Sequence, residues 1–271
     1  MVNVCFAGVT GWTAPPIVAA MEDADDVALV AGVSRSAAGQ ALRDRVGAAG
    51  DGRIFGTVRE ALDAADVDVL VDYTSATAVR GNVWAAVESG VHAVIGSSGL
   101  SADDYAELDA LARRHEVGVV AAGNFSVVAA VLQRSALLAA EQLGSWEVID
   151  YASDTKADVP SGTAREVAES LAQVHPPAQP VPVDDLQGPG EARGADVAGT
   201  RVHSVRLPSF VVTTEVVFGG PGERLVLRHD PGTGPEPYAA GTLLAVRRVG
   251  EQAGVRRGLG SLLFDQPAEG R

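Results

Sequence analysis

What this chain lacks narrows its class before any motif is read. It has a single cysteine, Cys5, so no internal disulfide can form and the stapled secreted scaffolds are excluded. Lying in an apolar run, Cys5 reads as a small buried hydrophobe. No apolar stretch reaches the ~18 residues a membrane span requires. The opening "MVNVCFAGVTG" carries neither the basic region nor the apolar core of a signal peptide. Positive charge is scarce as well: 21 Lys and Arg stand against 35 Asp and Glu, a formal charge of −14. A nucleic-acid partner is thereby excluded, because phosphodiester chains are held by a basic surplus, although a local basic pocket around one phosphorylated cofactor is not. There is no internal repeat, and the abundant alanine and glycine carry no function by themselves. The expectation is a cytoplasmic protein, bound to neither membrane nor nucleic acid, that acts on a small molecule.

What is present is globular: 46% of the 271 residues are hydrophobic and 21% charged, enough chain for one large domain or two ordinary ones. "VNVCFAGVTG", "DVALVAGVSRS", "VDVLVDYTS", "HAVIGSSG" and "VGVVAAGNFS" read as buried strands. Helical patterns such as "APPIVAAMEDA", "TAVRGNVWAAVESG" and "SADDYAELDALARRHE" separate them. Near-continuous apolar strands alternating with helices predict an α/β domain, a doubly wound parallel sheet covered on both faces. After Asn124 the texture changes. A long helix, the strand "WEVIDYAS" and a further helix precede a Pro- and Gly-rich loop that reads as mobile. Then "RVHSVRL", "SFVVTTEVVFG" and "ERLVLRHD" predict an antiparallel or mixed sheet, and "PYAAGTLLAVRRVGEQAG" a last helix that closes the chain. Two domains are expected: 1–123 for a dinucleotide and 124–236 for substrate and self-association, with 237–271 packing back on the first.

Two stretches carry chemistry. In "GVTGWTA", Gly8, Gly11 and Ala14 form a G-x-x-G-x-x-A variant of the dinucleotide turn, placed after a strand and before a helix. Small residues there let peptide N–H groups and the helix N-terminus approach a pyrophosphate; a tight turn without a ligand is the plainer alternative. An NAD site usually has an acidic residue at the end of the second strand, for the ribose hydroxyl. Here Ser34, Arg35 and Ser36 stand in its place, a guanidinium flanked by hydroxyls that suits a 2′-phosphate. NADPH is therefore expected over NADH. In "KADVPSGTAREVAE", Lys156 precedes Ser161, Gly162 and Thr163 at a predicted helix start. Free N–H groups, hydroxyls and one full charge converge there, a grip for a carboxylate. The alternative is an ordinary N-cap.

"KADVPSGTA" resembles the K-x-D-A-P-S-G-T-A signature of the 4-hydroxy-tetrahydrodipicolinate reductase family, NAD(P)H-dependent enzymes of the diaminopimelate and lysine pathway. "VDVLVDYTSATAVRGNVWAAVESGVHAVIGSSGLS", "AAGNFSVVAAVL" and the closing "GLGSLLF" resemble family segments too, so nearly the whole chain lines up. The resemblance implies that Lys156, Ser161, Gly162 and Thr163 grip the carboxylates of a ring substrate. It implies that Gly96, Ser97, Ser98, Asn124 and Phe125 wall the nicotinamide, with Thr74 close to the cofactor. A tetramer formed through the second-domain sheet is a further implication.

Two departures stand out. The family's H-H-x-H run before the lysine, whose first histidine is its proposed general acid, reads Ala152, Ser153, Asp154, Thr155 here. Alanine donates no proton, and His92, His115, His175, His203 and His229 lie elsewhere; His203, in a second-domain strand, is the one that could approach the site, although a structural or surface role is its plainer reading. The family's glycine-rich R-G-G-D wall becomes "RLPSF", bulkier and more apolar. Lys156 is then the leading proton donor, ahead of Tyr151 and Asp154. The expected substrate is an imine, enamine or activated C=C bond of a metabolite outside lysine synthesis, less charged than a dicarboxylate ring. A non-redox cyclase or isomerase and a cofactor-binding protein without turnover are the alternatives, and an ordinary family reductase ranks last.

Overall fold

The computed structural model describes residues 1–264 and divides into two compact units: Met1–Val127 together with the chain from Pro235 onward, and Val128–Gly234.

The first unit is a seven-stranded, wholly parallel sheet. Its strands are β1 (Val2–Ala7), β2 (Val27–Val33), β3 (Arg53–Phe55), β4 (Val69–Asp72), β5 (His92–Ile95), β6 (Gly118–Ala121) and β12 (Gly254–Arg257). They lie in the order β12-β6-β5-β4-β1-β2-β3, the doubly wound arrangement, whose order reverses between β1 and β4 and opens a crevice at their carboxyl ends. The sequence reason is the run of β-branched and small apolar residues: every residue of β4 and β6 is buried, as a strand covered on both faces requires. Helices α1 (Ala14–Glu22), α4 (Val79–Glu88), α5 (Ala102–Arg114) and α8 (Pro237–Arg248) carry the cover. Two prolines open α1, where no N–H is missed. A reciprocal capping box of Ser101 and Asp104 opens α5, and those bonds, with Arg80, hold Asp104 down at about 2.

Several elements depart from the pattern reading. β3 and the short helices α2 (Leu42–Val46) and α3 (Val58–Ala64) were not predicted, being too short for a clear period. The predicted last helix stops at Arg248 and does not close the described chain. A 3₁₀ turn at Val249–Glu251, then β12 and the short α9 (Gly260–Leu263), follow it. β12 is an Arg-containing tetrapeptide that becomes a strand only because β6 offers it a free edge. Residues 265–271 of the predicted back-packing segment lie outside the described residues.

The second unit is built on a mixed sheet ordered β11-β10-β7-β9-β8. Its strands are β7 (Ser145–Ala152), β8 (Ala195–Val197), β9 (Thr200–Arg206), β10 (Val212–Gly220) and β11 (Glu223–His229). β7 pairs parallel with β9 and antiparallel with β10. Its alternation is strict: Trp146, Val148, Asp150 and Ala152 are buried, while their neighbours are half-buried. The buried face packs on α6 (Val127–Ala140) and α7 (Gly162–Ala172), through Ala136, Ala140, Val167 and Leu171. The loop read as mobile contains two 3₁₀ turns and β8. It is fastened by Ala178 N–H donating to Gly144 O at 2.7 Å and by the Gln179 amide donating to Gly199 O at 3.1 Å.

Candidate functional site

In the first unit the predicted turn falls at the switch point. Gly8 follows β1 with φ +87°, a value that side chains resist. A Cβ there would lie 2.2 Å from the carbonyl oxygen of Tyr73, just past β4. Gly11 N–H closes the turn on Gly8 O at 2.8 Å. Among the described residues the N–H groups of Thr10, Trp12 and Thr13 have no protein acceptor, so donors remain for a phosphate beside the start of α1. The donor set fits a dinucleotide. Beyond β2, Ser34 Oγ lies 2.8 Å from Thr10 Oγ1 and 3.3 Å from Ser36 Oγ. Arg35 is exposed and pairs with no carboxylate among the described residues. Thr10 joins this hydroxyl chain, which sequence reading had confined to Ser34 and Ser36.

The residues from β4 and β5 converge on a carboxylate that sequence reading missed. Asp72, the last residue of β4, is fully buried. Its Oδ1 accepts from Thr74 N–H at 3.1 Å, Thr74 Oγ1 at 2.8 Å and Ser97 Oγ at 2.6 Å. Its Oδ2 accepts from the Asn82 amide at 2.8 Å. Thr74 is thus held in place, as is Ser97, while Ser98 beside it is exposed. Gly96 is needed because a Cβ would strike the Tyr73 ring at 2.2 Å. Tyr73 is itself wedged between Phe6 and Phe125, with ring centroids 6.0 and 5.9 Å away. The Thr242 hydroxyl donates to Tyr238 O, so at 2.8 Å it accepts the Tyr73 phenol proton. Burial, then the Asp72 charge, push the Cys5 thiol up to about 12, leaving it inert. Phe125 differs from the expectation: its side chain is buried in the core and gives no face to a nicotinamide. Asn124 Oδ1 accepts Ser126 N–H at 2.8 Å, turning the chain into α6. A signal for Asp72 did exist, an acidic residue ending an otherwise apolar strand, but its partners are 2 to 25 residues away and only the fold assembles them.

In the second unit Lys156 lies in the loop between β7 and α7. Its Nζ is 2.8 Å from Asp158 Oδ1, and both side chains are about one-third exposed. Ser161 is the N-cap of α7 and is buried; its Oγ accepts Ala164 N–H at 3.3 Å. Gly162 and Thr163 form the first turn. The anion loop is anchored from below by Asp150, which sequence reading also missed. Asp150 Oδ2 accepts from Ser161 N–H at 2.8 Å, Ser204 Oγ at 3.1 Å and Arg206 Nη2 at 2.8 Å. Arg206 also donates to Asp158 O at 2.8 Å, so one guanidinium ties β7 to the lysine loop. Burial acts to raise the Asp150 carboxyl, yet Ser161 and Arg206 hold it below its usual range.

The second-unit geometry corrects several expectations. Ala152 is fully buried, and Ser153, Asp154 and Thr155 form a turn of short side-chain bonds. Tyr151 points to the opposite face of the sheet from Asp150, packs on Phe210 at 5.2 Å and sits under Arg228 at 4.9 Å, so it is no rival to Lys156. Phe210, read as part of a rebuilt substrate wall, is engaged with Tyr151 on that face. His203 is likewise occupied there, its Nε2 2.7 Å from Glu147 Oε2.

The chain matches the family models described as dihydrodipicolinate reductase, N-terminus, over residues 2–125, and C-terminus, over residues 126–263. It is 36% identical to a 4-hydroxy-tetrahydrodipicolinate reductase of Thermosynechococcus vestitus, over 97% of each chain. A protein of the same description from Moorella thermoacetica is 37% identical, over 97% of this chain and 98% of that one. Among solved structures, a dipicolinate-bound dihydrodipicolinate reductase from Paenisporosarcina sp. TG-14 superposes with a TM-score of 0.74 at 27% identity, covering 96% and 99% of the two chains. These matches overturn the expectation of a substrate outside lysine synthesis, because full-length relatives consistently carry the ordinary reductase name. The error lay in reading two local replacements as a changed substrate, when Phe210 is spent on Tyr151 and the lysine and anion loop are intact.

Proposed function

This chain belongs to the dihydrodipicolinate reductase family, and on that premise we propose that it reduces 4-hydroxy-tetrahydrodipicolinate with NADPH, in the cytoplasm. The observation that carries the reading is the retention of both halves of the machinery. A dinucleotide turn stands at the switch point of one unit, and a lysine with a helix-capping Ser-Gly-Thr stands in the other. When bound, a reduced nicotinamide supplies the hydride. Gly8, Gly11 and the free N–H groups after β1 hold the pyrophosphate, and Thr74, Gly96, Ser98 and Asn124 border the nicotinamide. Ser34, Arg35 and Ser36 take a 2′-phosphate, which favours NADPH over NADH.

Ser161, Gly162 and Thr163 form the cradle at the start of α7 that grips a ring carboxylate, with Ser161 N–H itself held by Asp150. Lys156, paired with Asp158 at 2.8 Å, donates the proton that follows the hydride, the role left vacant by Ala152. The open face of the second sheet, with Ile149, Tyr151, Val217 and Val226 among charged neighbours, is the surface through which copies associate, as the tetramer implied by the family would require.

The test is NADPH oxidation with 4-hydroxy-tetrahydrodipicolinate, beside Lys156→Ala and Arg35→Ala. Turnover by the parent is expected, together with a loss of ~10²–10⁴ in kcat for Lys156→Ala at unchanged nucleotide affinity. Arg35→Ala should close the gap between NADPH and NADH. A parent that binds the nucleotide and leaves the ring unreduced refutes the substrate; full activity in Lys156→Ala refutes the proton donor.

A further inference from the structure

We propose that Asp72 is a buried, unneutralised counter-charge that favours the oxidised nicotinamide over the reduced one and thereby assists hydride donation. The inference rests on the reductase reading above and concerns a residue that never touches the substrate, a positioning and electrostatic group acting at the nucleotide.

Asp72 is fully buried, and four donated bonds, from Thr74 N–H, Thr74 Oγ1, Ser97 Oγ and Asn82 Nδ2, solvate its charge. No Lys, Arg or His pairs with it among the described residues. Dipoles therefore stabilise the anion without cancelling it, and its field reaches further through protein than through water. It ends β4 at the point where strand order reverses and holds Thr74, the residue that the reductase reading sets beside the nucleotide.

The chemistry makes one charge change on this side. A C–H bond at C4 of a neutral dihydronicotinamide breaks, two electrons and one proton leave as hydride, and a new C–H bond forms on the substrate. The ring left behind would be a pyridinium cation; on the substrate the 4-hydroxyl leaves as water, and the proton completing the reduction comes from Lys156. A fixed anion nearby stabilises that cation relative to the neutral ring. If Asp72 served only to tie Thr74 to Ser97 and Asn82, its loss would weaken both nucleotide forms alike.

Two variants remove the net charge by different routes. Asp72→Asn keeps the shape, and Asn82→Lys keeps the carboxylate but sets an ammonium against it from a half-buried position on α4. The measurement is the dissociation constant of the full chain for NADP⁺ and for NADPH, by calorimetry or protein fluorescence. In both variants the preference for NADP⁺ relative to NADPH should fall by about tenfold, the scale on which one partly screened unit charge acts through protein. If Asp72→Asn does not fold, Asn82→Lys decides. A ratio unchanged within twofold overturns the inference and leaves the reductase reading standing; a parent chain that binds neither nucleotide overturns both.

Discussion

Replacing Arg206 by methionine isolates the contact on which the substrate loop is built. The guanidinium is 15% exposed and the Asp150 carboxylate not at all. Methionine keeps most of the aliphatic stem and removes the bonds to Asp150 Oδ2, Asp150 O, Val205 O and Asp158 O. Asp150 would then retain only Ser161 N–H and Ser204 Oγ on Oδ2, since its Oδ1 has no partner. Leaving a buried charge without its cation costs about 3 kcal/mol, and at ~2–4 °C per kcal/mol the melting temperature should fall by roughly 6–12 °C.

The acid limb adds a second signature. The folded carboxyl is depressed, so the pair's contribution is fully present above the unfolded carboxylate value, near pH ~4, and is lost as pH falls through the lower folded value. Stability of Arg206→Met should accordingly show less loss between pH ~4 and the acid transition than the parent. Removing both partners, Asp150→Asn with Arg206→Met, should recover much of the loss, because no charge is then stranded. The assay is thermal unfolding by circular dichroism from pH 3 to 8, for parent, single and double variants. An Arg206→Met protein as stable as its parent, or a double variant as damaged as the single, would refute the reasoning.

Gly8→Ala should lose nucleotide binding before it loses the fold. Positive φ and the approach to Tyr73 O add strain of about 1–3 kcal/mol, and titration with NADPH should show at least tenfold weaker binding while the dichroism spectrum is retained. On the second sheet, Val226→Asp, at a position 51% exposed in the isolated chain, should split any assembly formed through that face. Sedimentation velocity should then report monomer for the variant and a larger species for the parent, and identical profiles would remove the face as an interface.

The alternation of apolar strands with helices, the glycine turn and the "KADVPSGTA" loop were legible because each is a local property. Buried parallel strands must be apolar throughout, a pyrophosphate turn needs residues without a bulky Cβ, and a helix start announces its cap. Tertiary structure decided what depends on residues far apart in the chain. The edge that made a strand of Gly254–Arg257 exists only once β6 is in place. Asp72 and Asp150 show no local period, and each gains meaning from donors supplied by other elements. Read along the chain, "RLPSF" looked like a rebuilt substrate wall, but strand pleating sends Tyr151 to the face opposite Asp150, and Phe210 packs against it there. The sequence by itself determined which groups could hold a nucleotide and an anion; the fold determined which side chains were free to do so, because the direction of a side chain is set by the strand pairing around it.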